Sequence, residues 1–303
     1  MIKVGQDNIK NVFFGSTSIK KGYSGEDIIF NKISTNTIQE KWINSGLADW
    51  TGSTGQAVKF KTGATSVPYV SDGYILTSTT DMFGDCWNLT SVTLFDTQNV
   101  TTMYDMFTGC YKLSSVPLFE TSACTTMRSM FTGCYKLISV PLFNTENVTN
   151  MDFMFQGCDL LTTVPLFNTS SVTSMTGMFT GNDGITEVPL FDISACTSVY
   201  SMFSLCTSLI SVPELNLLNC LPDITSAFYM CTSLTNCYLI NLKPSINFNN
   251  SSNLTRDSIM FMINNSQTGT NRIMTLHATA KNRLTQEDIN DANLKGWTFA
   301  TAI

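Results

Sequence analysis

The sequence predicts an α/β repeat solenoid: stacked units of 24 residues, each a short helix, a turn and a short parallel strand, with a small β element in front. Three observations carry this. First, nearly the same text is written three times running from position 100: VTTMYDMFTGCYKLSSVPLFETSA, CTTMRSMFTGCYKLISVPLFNTEN and VTNMDFMFQGCDLLTTVPLFNTSS. Second, Phe83, Phe107, Phe131, Phe155, Phe179 and Phe203 fall 24 apart, and Phe228 follows after 25. Third, Met82, Met106, Met130, Met154, Met178 and Met202 precede them, and Cys86, Cys110, Cys134 and Cys158 share another slot. A unit this short cannot bury its own apolar face and must stack on a copy of itself.

Within a unit, Val100, Met103, Met106 and Phe107 have the spacing of one face of a short helix, which Gly109 would end in a left-handed conformation. Leu113 follows, and then Val116 and Leu118 alternate as the inward side chains of a strand. Neighbouring strands would pair in parallel. Pro117 has no N–H to give, so a ladder bond is missing at each proline and the strands should be short. Asn182 interrupts the cysteine slot before Cys206 and Cys231 resume it, and one residue is inserted at 221–223. Both should distort the stack locally without breaking it.

The run Leu-x-x-Val-x-Leu, after Met-Phe-x-Gly-Cys-x-x-Leu, resembles the BspA-like class of leucine-rich repeats, including the variant of gut bacteria and their phages. The resemblance covers 66–242. It implies strands along one face, helical turns along the other, and binding of macromolecules or surfaces in place of catalysis.

Four segments follow in order. Residues 1–32 form a small β element: IKVGQDNIKN, VFFGSTSIKK and GYSGEDIIFN repeat Gly5, Gly15 and Gly25 and also Ile9, Ile19 and Ile29 every ten residues, as antiparallel strands between polar turns. This segment resembles the openings of many phage tail, baseplate and fibre proteins, which would make it the part that docks on a virion; a solubilising β cap is the alternative. Residues 33–65 are linker and N-terminal cap, with a capping-box helix from Thr37 to Gly46 and with Trp42 and Trp50 sealing the open end of the stack. Residues 66–250 are the repeats. Residues 251–303 are a C-terminal capping unit: a helix over 254–264, a strand over 273–278, a capped helix from Thr285 closed by Gly296, and a last strand over 297–300. Its ending, Leu-Thr-Gln-Glu-Asp-Ile and Lys-Gly-Trp-Thr, resembles the closing unit of this repeat class in gut bacterial and phage proteins.

The search for chemistry excludes more than it finds. No nucleophile elbow, HExxH or Walker motif is present, no CxxC pair offers a zinc site, and His277 is the only histidine. Glu120, Glu146 and Glu187 occupy different slots, so no glycosidase pair emerges from one unit. Asp183 and Glu187 lack the ligand density of a calcium loop. The expectation is no catalytic residue, no cofactor and no metal. Ten cysteines occupy small apolar slots and read as buried thiols. Charged residues are 13%, the net charge is -6 and the 17 basic residues are scattered, which speaks against nucleic acid. No apolar run is long enough to insert in a membrane.

With Val116 and Leu118 inward, the candidate binding surface is the outward set Ser115 and Pro117, Ser139 and Pro141, Thr163 and Pro165, Glu187 and Pro189, Ser211 and Pro213. Phe119, Phe143, Phe167 and Phe191 join it if their ladder is an exposed aromatic strip and leave it if they form a core spine. The expected function is a phage virion structural protein, of tail, baseplate or fibre type. It would bind other virion proteins through its first residues and a bacterial surface glycan or protein through its repeats, with a homo-oligomer permitted. The opening residues show no apolar secretion signal, which fits synthesis in a host cytoplasm and a place on the virion. A bacterial surface adhesin is the alternative, and a polysaccharide-degrading enzyme a distant third.

Overall fold

The computed structural model describes residues 76–220 and 224–301, together with the backbone of four short strands before them. β1 (Asp7–Phe14) and β2 (Thr17–Tyr23) pair antiparallel, as does β3 (Ala48–Asp49) with β4 (Lys59–Phe60). The expected helix from Thr37, Trp42, Trp50, the start of the repeats at 66–75 and the insertion at 221–223 lie outside the described residues.

From Leu76 the chain is a repeat fold in which each unit bonds to the units beside it. Parallel bridges link Ser78 to Thr102, Thr102 to Thr126, Thr126 to Asn150, Asn150 to Ser174 and Ser174 to Ser198. Beyond each bridge the backbone alternates. The N–H groups of Met103, Asp105, Phe107 and Gly109 donate to Thr126, Arg128, Met130 and Thr132 of the following unit at 2.8–3.1 Å. Between them, Met106, Thr108 and Cys110 donate three residues back, to Met103, Asp105 and Phe107, at 3.0–3.3 Å.

This alternation corrects the expected short helix. An α-helix returns every N–H four residues back, whereas here every second one leaves the unit. The switch needs a left-handed residue in mid-turn, supplied by Asp105, Ser129, Phe153, Gly177 and Ser201 at φ 53–60°. Four of these five are not glycine, and each costs about 1–2 kcal/mol, offset by the bonds made to the next unit. Gly177 has a further reason: a Cβ there would stand 2.4 Å from the Phe153 ring of the preceding unit.

The inward slots fill one continuous core. Phe83, Phe107, Phe131, Phe155, Phe179, Phe203 and Phe228 stack with ring centroids 5.2–5.8 Å apart. All ten cysteines are reduced and buried, and their slot has a polar use. Cys110, Cys134 and Cys158 donate S–H to the carbonyls of Phe83, Phe107 and Phe131 at 3.1–3.2 Å. Asn182, in the same slot, instead accepts the Ile185 N–H through Oδ1 at 3.2 Å and leaves its buried Nδ2 without a partner. A buried threonine column serves the far corner: Thr97, Thr121, Thr145 and Thr169 donate their hydroxyls to Glu120, Asn144, Asn168 and Asp192 carbonyls at 2.7–2.8 Å.

The expected strand around Val116 is reduced to single bonds in most units, such as Ile138 N–H to Ser114 O at 3.1 Å. Regular pairing appears only at β5 (Ser211–Asn216) with β6 (Asn236–Ile240), parallel, and its register shifts between Val212 and Leu215, where Pro213 stands. The missing proline donor accounts for both.

The closing unit is of another kind. β7 (Ile246–Phe248), β8 (Arg272–Leu276) and β9 (Trp297–Thr301) form a parallel sheet, so the unit reaches back to Ile246. α1 (Arg256–Asn264) is capped by Thr255, and α3 (Gln286–Leu294) by a capping box of Thr285 and Asp288. His277, expected within a strand, is the N-cap of α2 (Ala278–Lys281), its Nδ1 accepting the Thr279 N–H at 3.1 Å. Arg256 grips Asp288 with two hydrogen bonds, at 2.5 and 2.8 Å. The Arg272 guanidinium lies 4.3 Å from the Trp297 ring centre and donates to the carbonyls of Leu242, Gln267 and Lys295.

Candidate binding surface

Some outward slots repeat as the inward ones do, and others change from unit to unit. The residue that points out of each strand region is not the one that alternation assigns. Val116 is inward, but Leu118 is 58% exposed and Phe119 takes the inner place. The cause is a tight turn at the leucine. Phe143 N–H reaches back to Pro141 O at 3.0 Å, and Phe167 N–H to Pro165 O at 2.9 Å. A bond to the residue two back folds the backbone at Leu142 and Leu166, so the period-2 pattern ends there and the leucine swings out.

This places the expected surface residues. Ser115, Ser139, Thr163 and Glu187 are exposed, Ser211 is half-buried, and Pro117, Pro141, Pro165, Pro189 and Pro213 are half-buried. Phe119, Phe143, Phe167 and Phe191 are only 2–3% exposed and are core, because each packs between the inner phenylalanine column and its own copies at 6.2–6.4 Å. They leave the candidate surface. In their place stand Leu94, Leu118, Leu142, Leu166 and Leu190, 54–61% exposed and aligned along five units. The five-fold recurrence of this leucine was visible in the sequence; its direction was not.

A second strip lies beyond the cysteine slot. Trp87, Tyr111 and Tyr135 occupy one position of successive units and are each close to half exposed. Tyr111 and Tyr135 stack at 5.1 Å and 20°. Each tyrosine ring passes over a glycine of the next unit: a Cβ on Gly133 would lie 3.7 Å from Tyr111, and one on Gly157 3.5 Å from Tyr135. Lys112 donates to Asn88 at 2.9 Å beside this strip. The same position then turns acidic at Asp159 and Asp183, and Asp159 is raised above the usual carboxylate range by partial burial and by Asp183. On a further face, the Arg128 guanidinium lies 5.6 Å from the Tyr104 ring centre and 5.9 Å from that of Phe153.

The titratable groups are engaged in holding turns. Glu120 accepts the Ser122 N–H at 3.0 Å and Asp192 the Ser194 N–H at 2.9 Å, and both carboxyls are held below their ordinary range by these bonds. Burial pushes the thiols of Cys110, Cys124, Cys134 and Cys158 the other way, Cys124 up to about 11, so these are protonated at neutral pH and poor nucleophiles, whereas a side-chain hydrogen bond with Cys220 lowers Cys196. Among the described residues no group of three His, Cys, Asp or Glu is placed to hold a metal ion, and no helix is long and apolar enough to cross a membrane.

Comparison with known proteins bears on the array. The family model described as "Mycoplasma protein of unknown function, DUF285" matches 77–159 and 138–238, which together span more than half of the 303 residues. No curated protein matches. Among solved structures, a Treponema pallidum leucine-rich repeat protein is 13% identical with a TM-score of 0.30, over 86% of this chain and 99% of that one. A leucine-rich cell surface protein of Faecalibacterium prausnitzii is 15% identical with a TM-score of 0.22, over 94% of this chain and 98% of that one.

Proposed function

Taking as premise that this chain belongs to the DUF285 family, we propose that it is a recognition protein of a phage virion, of tail, baseplate or fibre type, built as a solenoid of 24-residue units. The observation that carries the recognition role is that Trp87, Tyr111 and Tyr135 hold one outward position of three successive units, each close to half exposed, with the two tyrosine rings stacked. The phage setting is supported by the resemblance of the first residues to the openings of phage tail, baseplate and fibre proteins; the closing unit resembles that of gut bacterial and phage proteins alike. Recognition falls to the strip of Trp87, Tyr111 and Tyr135, with tyrosine ring centres 5.1 Å apart and the Lys112 ammonium and Asn88 amide beside them. Such a row of amphipathic rings and hydroxyls suits a surface glycan or a polar protein face. The protein acts by binding, without turnover.

Two measurements test this. Quantitative mass spectrometry of purified particles should find the chain in stoichiometric amount; its absence from particles and presence on bacterial envelopes would replace the virion role by that of a surface adhesin. The full chain should bind host cells, and the double variant Tyr111→Ser, Tyr135→Ser should lose most of that binding while melting as the parent does. Release of oligosaccharide from host polysaccharide would instead make the protein an enzyme.

A further inference from the structure

Glycan binding at the aromatic strip gives no role to Leu94, Leu118, Leu142, Leu166 and Leu190. We propose that this leucine strip is a self-docking face, through which two copies of the chain pair strip to strip about a two-fold axis. The inference does not rest on the virion role and stands or falls separately from it.

Area is the first argument. At 54–61% exposure, five aligned leucines leave on the order of 500 Å² of continuous apolar surface, at the upper end of the largest patch found on ordinary monomers. Exposed Ile138, at 57%, and the half-buried prolines beside the strip widen it toward the ~800 Å² per partner of a stable interface.

Spacing is the second argument, and it selects the occupant. The leucines keep the rise of the units, which the adjoining Phe95, Phe119, Phe143 and Phe167 rings set at 5.3–6.4 Å. A surface that is to cover all five must offer apolar groups at that same rise over the same length. Another copy of this strip does so by construction, and a two-fold axis makes the match reciprocal.

The limits of the strip fit this occupant. The strip stops where the leucine slot of the next unit holds exposed Glu214. Its flanks are Ser115, Ser139 and Thr163 on one side and Asn144 and Asn168 on the other, with the acidic residues Asp96, Glu120, Glu187 and Asp192 toward the ends. The centre of the face is therefore uncharged, as the core of a protein interface is. Leu142, the middle of the five, lies nearest its own copy whether the two chains run parallel or antiparallel.

The test uses the full chain. Light scattering on a sizing column should give twice the chain mass. Leu142→Glu, a change at an exposed position, should give the monomer mass with an unaltered thermal melt. Leu142→Cys, oxidised with copper phenanthroline, should run as a covalent dimer on a non-reducing gel, while the parent, whose ten thiols are buried, should not. A parent that stays monomeric across the accessible concentration range overturns the proposal, as does a dimer that survives Leu142→Glu or a Leu142→Cys chain that forms no cross-link. A monomer whose strip is covered by a different protein in particles also overturns it.

Discussion

The repeats and the closing unit solve the same problem in opposite ways. In the repeats, one set of bonds is used again in unit after unit: an S–H to a phenylalanine carbonyl except at Asn182, a threonine hydroxyl to a carbonyl 23 residues on from Thr97 to Thr169, a ring on a ring. In the closing unit each contact occurs once, and several are charged: Arg256 with Asp288, Arg272 with Trp297 and three carbonyls, and a capping box on α3. The difference teaches that a periodic core needs no individually strong contact, because each rung is held from both sides. A terminal rung has a neighbour on one side only and is secured by special contacts instead.

Four substitutions would break or sharpen this contrast. The largest effect should come from Phe131→Ala, which empties a fully buried ring position between Phe107 and Phe155 and should cost about 3–5 kcal/mol in urea unfolding. Phe155→Ala should cost nearly the same, and unequal losses would show that the rungs are not equivalent. Arg272→Met should follow at about 2–3 kcal/mol, since carbonyls of Leu242, Gln267 and Lys295 lose a charged donor together. Its loss should loosen the closing unit first, seen as earlier amide exchange there than in the repeats. Gly177→Ala should cost about 1–2 kcal/mol from its positive φ of 60° alone, with the displaced Phe153 ring adding to it.

The smallest effect is one of pH. Asp288 is held down to about 2 by hydrogen bonds from Arg256, helped by the Thr285 cap. A carboxyl whose folded pKa is depressed stabilises above its unfolded value and loses that contribution as pH falls through the folded one. Unfolding midpoints should therefore be flat in this contribution down to about pH 4 and decline from there toward pH 2. Asp288→Asn should remove that part of the slope, and titration curves of parent and variant that stay parallel would show that the pair is not coupled to folding.

Reading the sequence recovered what depends on repetition and missed what depends on local backbone geometry. The inward place of Met106, Phe107, Cys110 and Leu113 and the parallel sense of pairing were legible, because identical slots must share a fate; of the closing unit, α1, β8, α3 and β9 were legible, whereas β7 and α2 were not. The short helix was not, since its apolar spacing also fits a turn whose alternate donors leave the unit. The deciding left-handed residues, Asp105, Ser129, Phe153 and Ser201, are types that do not announce that conformation. The candidate surface was half legible. Ser115, Ser139, Thr163 and Glu187 are outside as alternation requires, but one backbone bond to a proline carbonyl exchanged the roles of Leu142 and Phe143.

The bonding of one unit to the next has a consequence for how such chains change length. Donors that leave a unit are answered in the adjoining unit at a fixed offset, 21 to 24 residues along, as from Met103 to Thr126 and Thr108 to Ser129, or 24 to 27 residues back, as from Thr101 to Thr77 and Cys110 to Phe83. Duplicating or excising one whole unit in the gene therefore leaves no bond unanswered, and both outer strips stay in line. Recombination between near-identical stretches of coding sequence would then adjust the reach of the molecule in steps of about one strand spacing, while its two ends stay as they are.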